Sequence, residues 1–182
     1  MHRIMMNSIF DTANSQEVID LFTRVFTASE GADEGNSIGQ LASDLIANTP
    51  AEDLIGCIAK SEGSIIGCIF FSRFNVPGEQ VAFILAPVAV ATEVQGTGVG
   101  QRLIAYGLDQ LRSRNVDLAL TYGDPAFYSK TGFKQIGVDT IQAPFPLSQP
   151  IGWLAQSLDG KPIEAIDGPT QCVEALNDPR HW

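Results

Sequence analysis

Val88-Ala89-Val90-Ala91-Thr92-Glu93-Val94-Gln95-Gly96-Thr97-Gly98-Val99-Gly100 closes an apolar run that begins at Val81 and passes into the helical spacing Leu103, Ile104, Leu108, Leu111. A long strand, a glycine turn and an amphipathic helix follow one another without a break. Glycine at positions 96, 98 and 100 lets the backbone approach a ligand with its N–H groups turned inward, and the helix start adds partial positive charge. Such a turn is a cradle for a phosphate or pyrophosphate. Its spacing is neither the G-x-G-x-x-G of dinucleotide folds nor a P-loop, because no Gly-Lys-Ser/Thr follows. A glycine turn with no ligand is the competing reading at this point.

Pro87 interrupts the same strand. Proline has no N–H for a sheet ladder, so the strand is expected to bulge, splay or lie at an edge there. Upstream, Leu54–Ala59 and Ser64–Phe74 flank Lys60-Ser-Glu-Gly63 and read as a hairpin. Before it, Val18, Leu21, Phe22, Val25 and Phe26 mark one helix, and Ile38, Leu41, Leu45 and Ile46 mark a second. Between these helices the sequence predicts a polar loop over 29–36 holding Glu30, Asp33 and Glu34, and a short first strand is expected from Arg3 to Phe10. Downstream, Val116–Tyr122 reads as a strand, and Asp124-Pro125 as a cap and first residue of a short helix that Gly132 ends. Phe133–Val138 and Gly152–Leu158 are further strand candidates.

Gln95-x-x-Gly98-x-Gly100 resembles the signature loop of the GNAT superfamily, the acyl-CoA-dependent N-acyltransferases. The resemblance continues in Asp124-Pro-Ala-Phe-Tyr128-Ser-Lys-Thr-Gly132-Phe133, a second motif in the right order. It covers Leu85–Ile136 in detail and the element order up to about residue 138. It implies an α+β fold: a twisted, mostly antiparallel mixed sheet with helices on both faces. It also implies acetyl-CoA as co-substrate, with the pantetheine arm in a splay at Pro87–Val90. Val88, Ala89 and Val90 are then cofactor-binding residues, with an oxyanion donor near Val88, and Gln95, Gly96, Thr97, Gly98, Val99 and Gly100 hold the pyrophosphate, the Thr97 hydroxyl adding a donor. Tyr128 takes the family's tyrosine position, where a phenol of ordinary pKa, about 10, protonates the departing thiolate. The expected activity is acetyl transfer to a primary amine by direct attack in a ternary complex. A non-catalytic acyl-CoA sensor is the alternative.

Many members carry a carboxylate on the fourth strand, yet Val81–Val90 contains neither Asp nor Glu, and Glu79 precedes the strand. Glu30, Asp33 and Glu34 are candidates for the base, as is water; Asp124 reads better as a cap. Cys57, Cys68 and Cys172 show no metal-ligand spacing, and Cys57 and Cys68 fall on core-type strand positions. No metal is expected.

The 182 residues carry 11 Lys plus Arg against 21 Asp plus Glu, a net charge of −10 that opposes a nucleic-acid or anionic membrane surface. Its distribution is uneven. Residues 95–135 hold five bases and three acids, whereas residues 1–53 hold two bases and nine acids. The positive balance coincides with the glycine loop, and the acidity favours a cationic small-molecule or peptide amine as acceptor. Length argues for a single domain over 1–182, with 139–182 a proline-rich extension that completes the sheet or walls the acceptor site. The resemblance leaves room for a homodimer. Lacking a leader or spanning segment, the chain is expected to be cytoplasmic.

Overall fold

The computed structural model describes residues 4–182. His2 and Arg3, and so the expected start of the first strand, lie outside the described residues. Two compact units hold the chain: residues up to Phe70 with 87–107, and residues 71–86 with 108–182.

In the first unit, Val18, Leu21, Phe22 and Val25 supply the buried face of α1, Ser15–Glu30. Gly31, at φ 98°, ends it, and α2, Ala32–Asn48, begins at the next residue. The loop expected over 29–36 is therefore a one-residue break. Glu30 closes α1, while Asp33 and Glu34 occupy the first turn of α2, where negative charge complements the helix end. Close packing makes this sharp joint worthwhile. A Cβ on Gly35 would overlap Thr27 Oγ1 and come 2.7 Å from the Thr23 carbonyl oxygen, and one on Gly39 would overlap Thr23 Oγ1. Replacing Gly35 by valine should wedge the helices apart and lower stability by about 2 kcal/mol. An unchanged urea midpoint would contradict this contact.

Strands β1, Met5–Ile9, and β2, Leu54–Ser61, pair antiparallel. Glu62 and Gly63, both at positive φ, turn β2 into β3, Ser64–Arg73, as a two-residue hairpin requires. Phe70 stacks on Phe22 at 6.0 Å and meets Phe10 edge-on at 5.3 Å, so α1 and the strands share one core.

Strand β4, Ala82–Val90, leads to α3, Val99–Ser113, then β5, Leu118–Tyr122, and the short α4, Pro125–Tyr128. Two strands complete the sheet, β6, Lys134–Gln135, and β7, Trp153–Ser157. The order is β1-β2-β3-β4-β5-β7-β6, with β4 and β5 parallel and the β5/β7 and β6/β7 pairs antiparallel. The tail thus supplies an interior strand. Burial explains the inversion: Trp153, Leu154 and Ala155 are buried, whereas Lys134 and Gln135 are exposed and suit an edge. β6 is also shorter than the expected Phe133–Val138. The Thr140 and Ile141 N–H groups donate to the Gly137 carbonyl, folding the chain away from the strand. Trp153 is a core aromatic: it is fully buried, donates from Nε1 to the Ile141 carbonyl at 2.9 Å, and meets Phe74 and Trp182 edge-on. No helix among the described residues is long and apolar enough to cross a membrane.

Candidate active site

The site starts on strand β4, whose residues 82–86 belong to the second unit and 87–90 to the first. Its register with β5 runs from Ala82↔Leu118 to Leu85↔Thr121 and ends there, although β4 continues to Val90. Against β3, the Phe74 N–H donates to the Ala82 carbonyl and the Ala91 N–H to the Ile66 carbonyl, at 2.9 and 2.8 Å. Between these bonds β4 advances nine residues and β3 eight. One extra residue on β4 is a bulge, and it falls in the run that contains Pro87. The misplaced proline thus sits where the ladder is already broken.

Beyond the strand, Gln95 Nε2 donates to the Val90 carbonyl at 3.0 Å and Thr97 Oγ1 to the Val94 carbonyl at 2.5 Å. Both side chains brace the turn. The Thr97 hydroxyl proton is engaged within the loop. Gly96 and Gly98 stand at φ 77° and 87°, a conformation that other residues adopt only with strain. Gly100 lies in the first turn of α3. Among the described residues, the amides of Gly96 to Gly100 donate to no backbone or side-chain acceptor, as the unpaired start of a helix dictates. Arg102, which sequence reasoning passed over, donates to the Thr97 carbonyl at 3.3 Å and places Nη1 2.8 Å from where a Gly98 Cβ would lie. The result is a row of free N–H donors beside an exposed guanidinium, a setting for a doubly charged phosphate group.

Tyr128 is positioned within the second unit. Asp124 caps α4, accepting from the Ala126 N–H at 2.9 Å, and Gly132 at φ 96° terminates the turn that follows. The ring lies between Phe127 and Phe133, both edge-on, at 5.0 and 5.9 Å. Beneath it the backbone of Gly123 comes so close that a Cβ there would stand 2.6 Å from Tyr128 Cε2. Burial pushes the phenol up to about 12, a hydrogen bond with the Thr121 side chain pulls it down, and the Asp124 carboxylate raises it. The expectation of an ordinary phenol is therefore corrected: withdrawal of the hydroxyl from water disfavours the phenolate. At neutral pH Tyr128 is a fully protonated donor. Thr121 and Gly123 carried no sequence signal, since a threonine within an alternating strand and a glycine at its end are ordinary there.

The other candidates separate clearly. Glu30, Asp33 and Glu79 are exposed, and Glu34 is half-buried in the first turn of α2. Cys57 and Cys68 are fully buried, and burial together with the neighbouring Cys57 raises the Cys68 thiol well above its usual value, so it is no nucleophile. Among the described residues no group of His, Cys, Asp and Glu is arranged to hold a metal ion.

Known proteins resemble this chain in sequence and in fold. An acetyltransferase (GNAT) domain model matches residues 52–135, which contain the bulged strand, the glycine loop and the tyrosine turn. The uncharacterized N-acetyltransferase YjhQ of Escherichia coli K12 is 31% identical over 172 residues, spanning 91% of each chain. The chain belongs to the GNAT acetyltransferases. Among solved structures, this GNAT chain superposes on the E. coli YhbS N-acetyltransferase, determined with CoA, with a TM-score of 0.80. That match has 23% identity and covers 98% of this chain and 94% of the other. A GNAT acetyltransferase of Brucella melitensis, determined with acetyl-CoA, gives a TM-score of 0.75 at 23% identity, covering 96% and 99% of the two chains. At such identities the likeness concerns the fold, and the enzyme class rests on family membership.

Proposed function

We propose that this GNAT acetyltransferase moves the acetyl group from acetyl-CoA to a primary amine by direct attack in a ternary complex. The observation that carries the reading is the row of unengaged amides from Gly96 to Gly100 at the start of α3, set after a bulged strand. A pyrophosphate fits these residues: glycine leaves the backbone bare at 96 and 98, and the helix end and Arg102 supply positive charge. Val88, Ala89 and Val90, on the part of β4 beyond its register with β5, would receive the pantetheine arm. Acetyl-CoA supplies an activated thioester. Tyr128 donates its phenolic proton to the departing sulfur: the O–H bond breaks and an S–H bond forms. A phenol held neutral far above neutral pH keeps that proton available.

Acidic residues are concentrated in 1–53, nine against two bases, which favours a cationic small-molecule or peptide amine as acceptor. The missing carboxylate between Val81 and Val90 supports a second reading, an acyl-CoA-binding sensor. Calorimetry with CoA, paired with thiol release across a panel of amines, peptides and aminoglycosides, separates the two. Binding with acceptor-dependent thiol release supports the transferase. Tight binding with release at background throughout supports the sensor.

A further inference from the structure

Strand β5 ends at Tyr122, opposite Trp153, and beyond that pair Gly123 faces Gly152, its N–H donating to the Gly152 carbonyl at 3.0 Å. Neither glycine has room for a side chain. A Cβ on Gly123 would stand 2.6 Å from Tyr128 Cε2, and one on Gly152 would stand 2.6 Å from the Gly123 carbonyl oxygen. The Tyr128 ring, the Gly123 backbone and the Gly152 backbone are therefore layered in direct contact. Two facing glycines leave a strand end its greatest backbone freedom, so this stack needs a further restraint to hold the ring in one place.

Tyr122 supplies it. Its phenolic oxygen accepts from the Gln149 N–H at 2.6 Å, the Gln149 carbonyl accepts from the Gly152 N–H at 2.8 Å, and the Gly152 carbonyl accepts from Gly123. The path leaves the chain at the side chain of residue 122 and returns at the main chain of residue 123, a closed circuit. The Tyr122 ring is itself held: Trp182 stacks on it at 6.1 Å with the planes 12° apart. Trp182 in turn donates from Nε1 to the Leu176 carbonyl and meets Trp153 edge-on. Ser148 Oγ shares a 3.0 Å hydrogen bond with the same phenol and lies outside the circuit.

We propose that Tyr122 is a positioning residue for Tyr128: its hydroxyl closes the circuit that fixes the Gly123–Gly152 pair, and that pair sets where the Tyr128 ring stands. This rests on the assignment of Tyr128 as the proton donor to the leaving thiolate. Tyr122 acts only through the stack. Opening the circuit loosens the ring, which costs rate and not cofactor affinity, because proton transfer depends steeply on the placement of the reacting atoms.

The test removes one oxygen. Tyr122→Phe keeps the ring and its stack on Trp182 and opens the circuit at Gln149. It should lower kcat about tenfold, with KM for the amine and the calorimetric Kd for CoA within about twofold of the parent. Combined with Tyr128→Phe it should cause no further loss, because both changes act on one group. Fluorinated tyrosine at position 128, followed by fluorine NMR, should show a shifted signal in Tyr122→Phe and the parental signal in Ser148→Ala, which leaves the circuit closed. Parental kcat in Tyr122→Phe when Tyr128→Phe is impaired would overturn the proposal and leave the role of Tyr128 standing. So would losses that add in the double variant, a loss confined to KM for the amine, or a fluorine signal unmoved in Tyr122→Phe or moved equally by Ser148→Ala. Unchanged turnover in Tyr128→Phe would remove Tyr128 from the reaction and overturn this proposal with it.

Discussion

Replacing Tyr128 by phenylalanine is expected to lower kcat about a hundredfold while CoA affinity stays within about twofold of the parent. Phenylalanine keeps the edge-on contacts with Phe127 and Phe133 and the close approach to Gly123, so the turn should persist. What disappears is the proton. Steady-state kinetics with a responsive amine, together with calorimetry for CoA, would report the two effects separately, and parental kcat would exclude a role for the phenol. The pH dependence follows from the same burial. With the phenol at about 12, kcat should show no loss attributable to Tyr128 near pH 10, where a solvent-exposed tyrosine would ionise. Stability has a matching sign. The folded chain holds this proton more tightly than the unfolded chain, so the contribution is present below about pH 10 and is lost as pH rises through about 12. Tyr128→Phe should flatten that decline.

The second large effect is expected at the loop. Gly98→Val should weaken CoA binding about fiftyfold, or roughly 2 kcal/mol. Gly98 stands at φ 87°, so any side chain must strain the backbone, and its Cβ would meet Arg102 Nη1 at 2.8 Å. Arg102 can yield, but the amides on either side cannot keep their direction if the backbone relaxes toward negative φ. Valine at this position also covers the N–H row sterically. Calorimetric titration measures the loss, and a Kd close to the parent's would show that these amides do not hold the pyrophosphate. The folded state should survive, since the residue lies in a half-exposed turn.

Much of this was legible in the residues because each signal was local. The alternation of Gly96, Gly98 and Gly100 and the Asp124-Pro125 cap are statements about a few consecutive backbone torsions, and the helical spacings of α1, α2 and α3 reflect single buried faces. Pro87 marked the strand defect because a missing N–H is a property of one residue. The rest depended on long-range partners. Nothing around Gly31 showed that α1 and α2 meet at one residue, because the reason lies in Gly35 and Gly39 pressing on Thr23 and Thr27. The insertion of β7 beside β5 follows from the burial of Trp153 and Leu154, which chain order cannot express. Within the site, the Thr97 hydroxyl is engaged by the Val94 carbonyl and the Thr121 hydroxyl by the Leu85 carbonyl, contacts set by the folded turn and by strand pairing.

The most direct test of acetyl transfer uses acetyl-CoA with a deuterated acetyl group, a panel of cationic and neutral primary amines, and mass spectrometry of the acceptors alongside measurement of free thiol. Direct transfer predicts an acceptor whose nitrogen gains the deuterated acetyl group in one-to-one proportion with the thiol released, at a rate lowered about a hundredfold by Tyr128→Phe. Tight CoA binding with no acceptor labelled and thiol at background across the panel would contradict it.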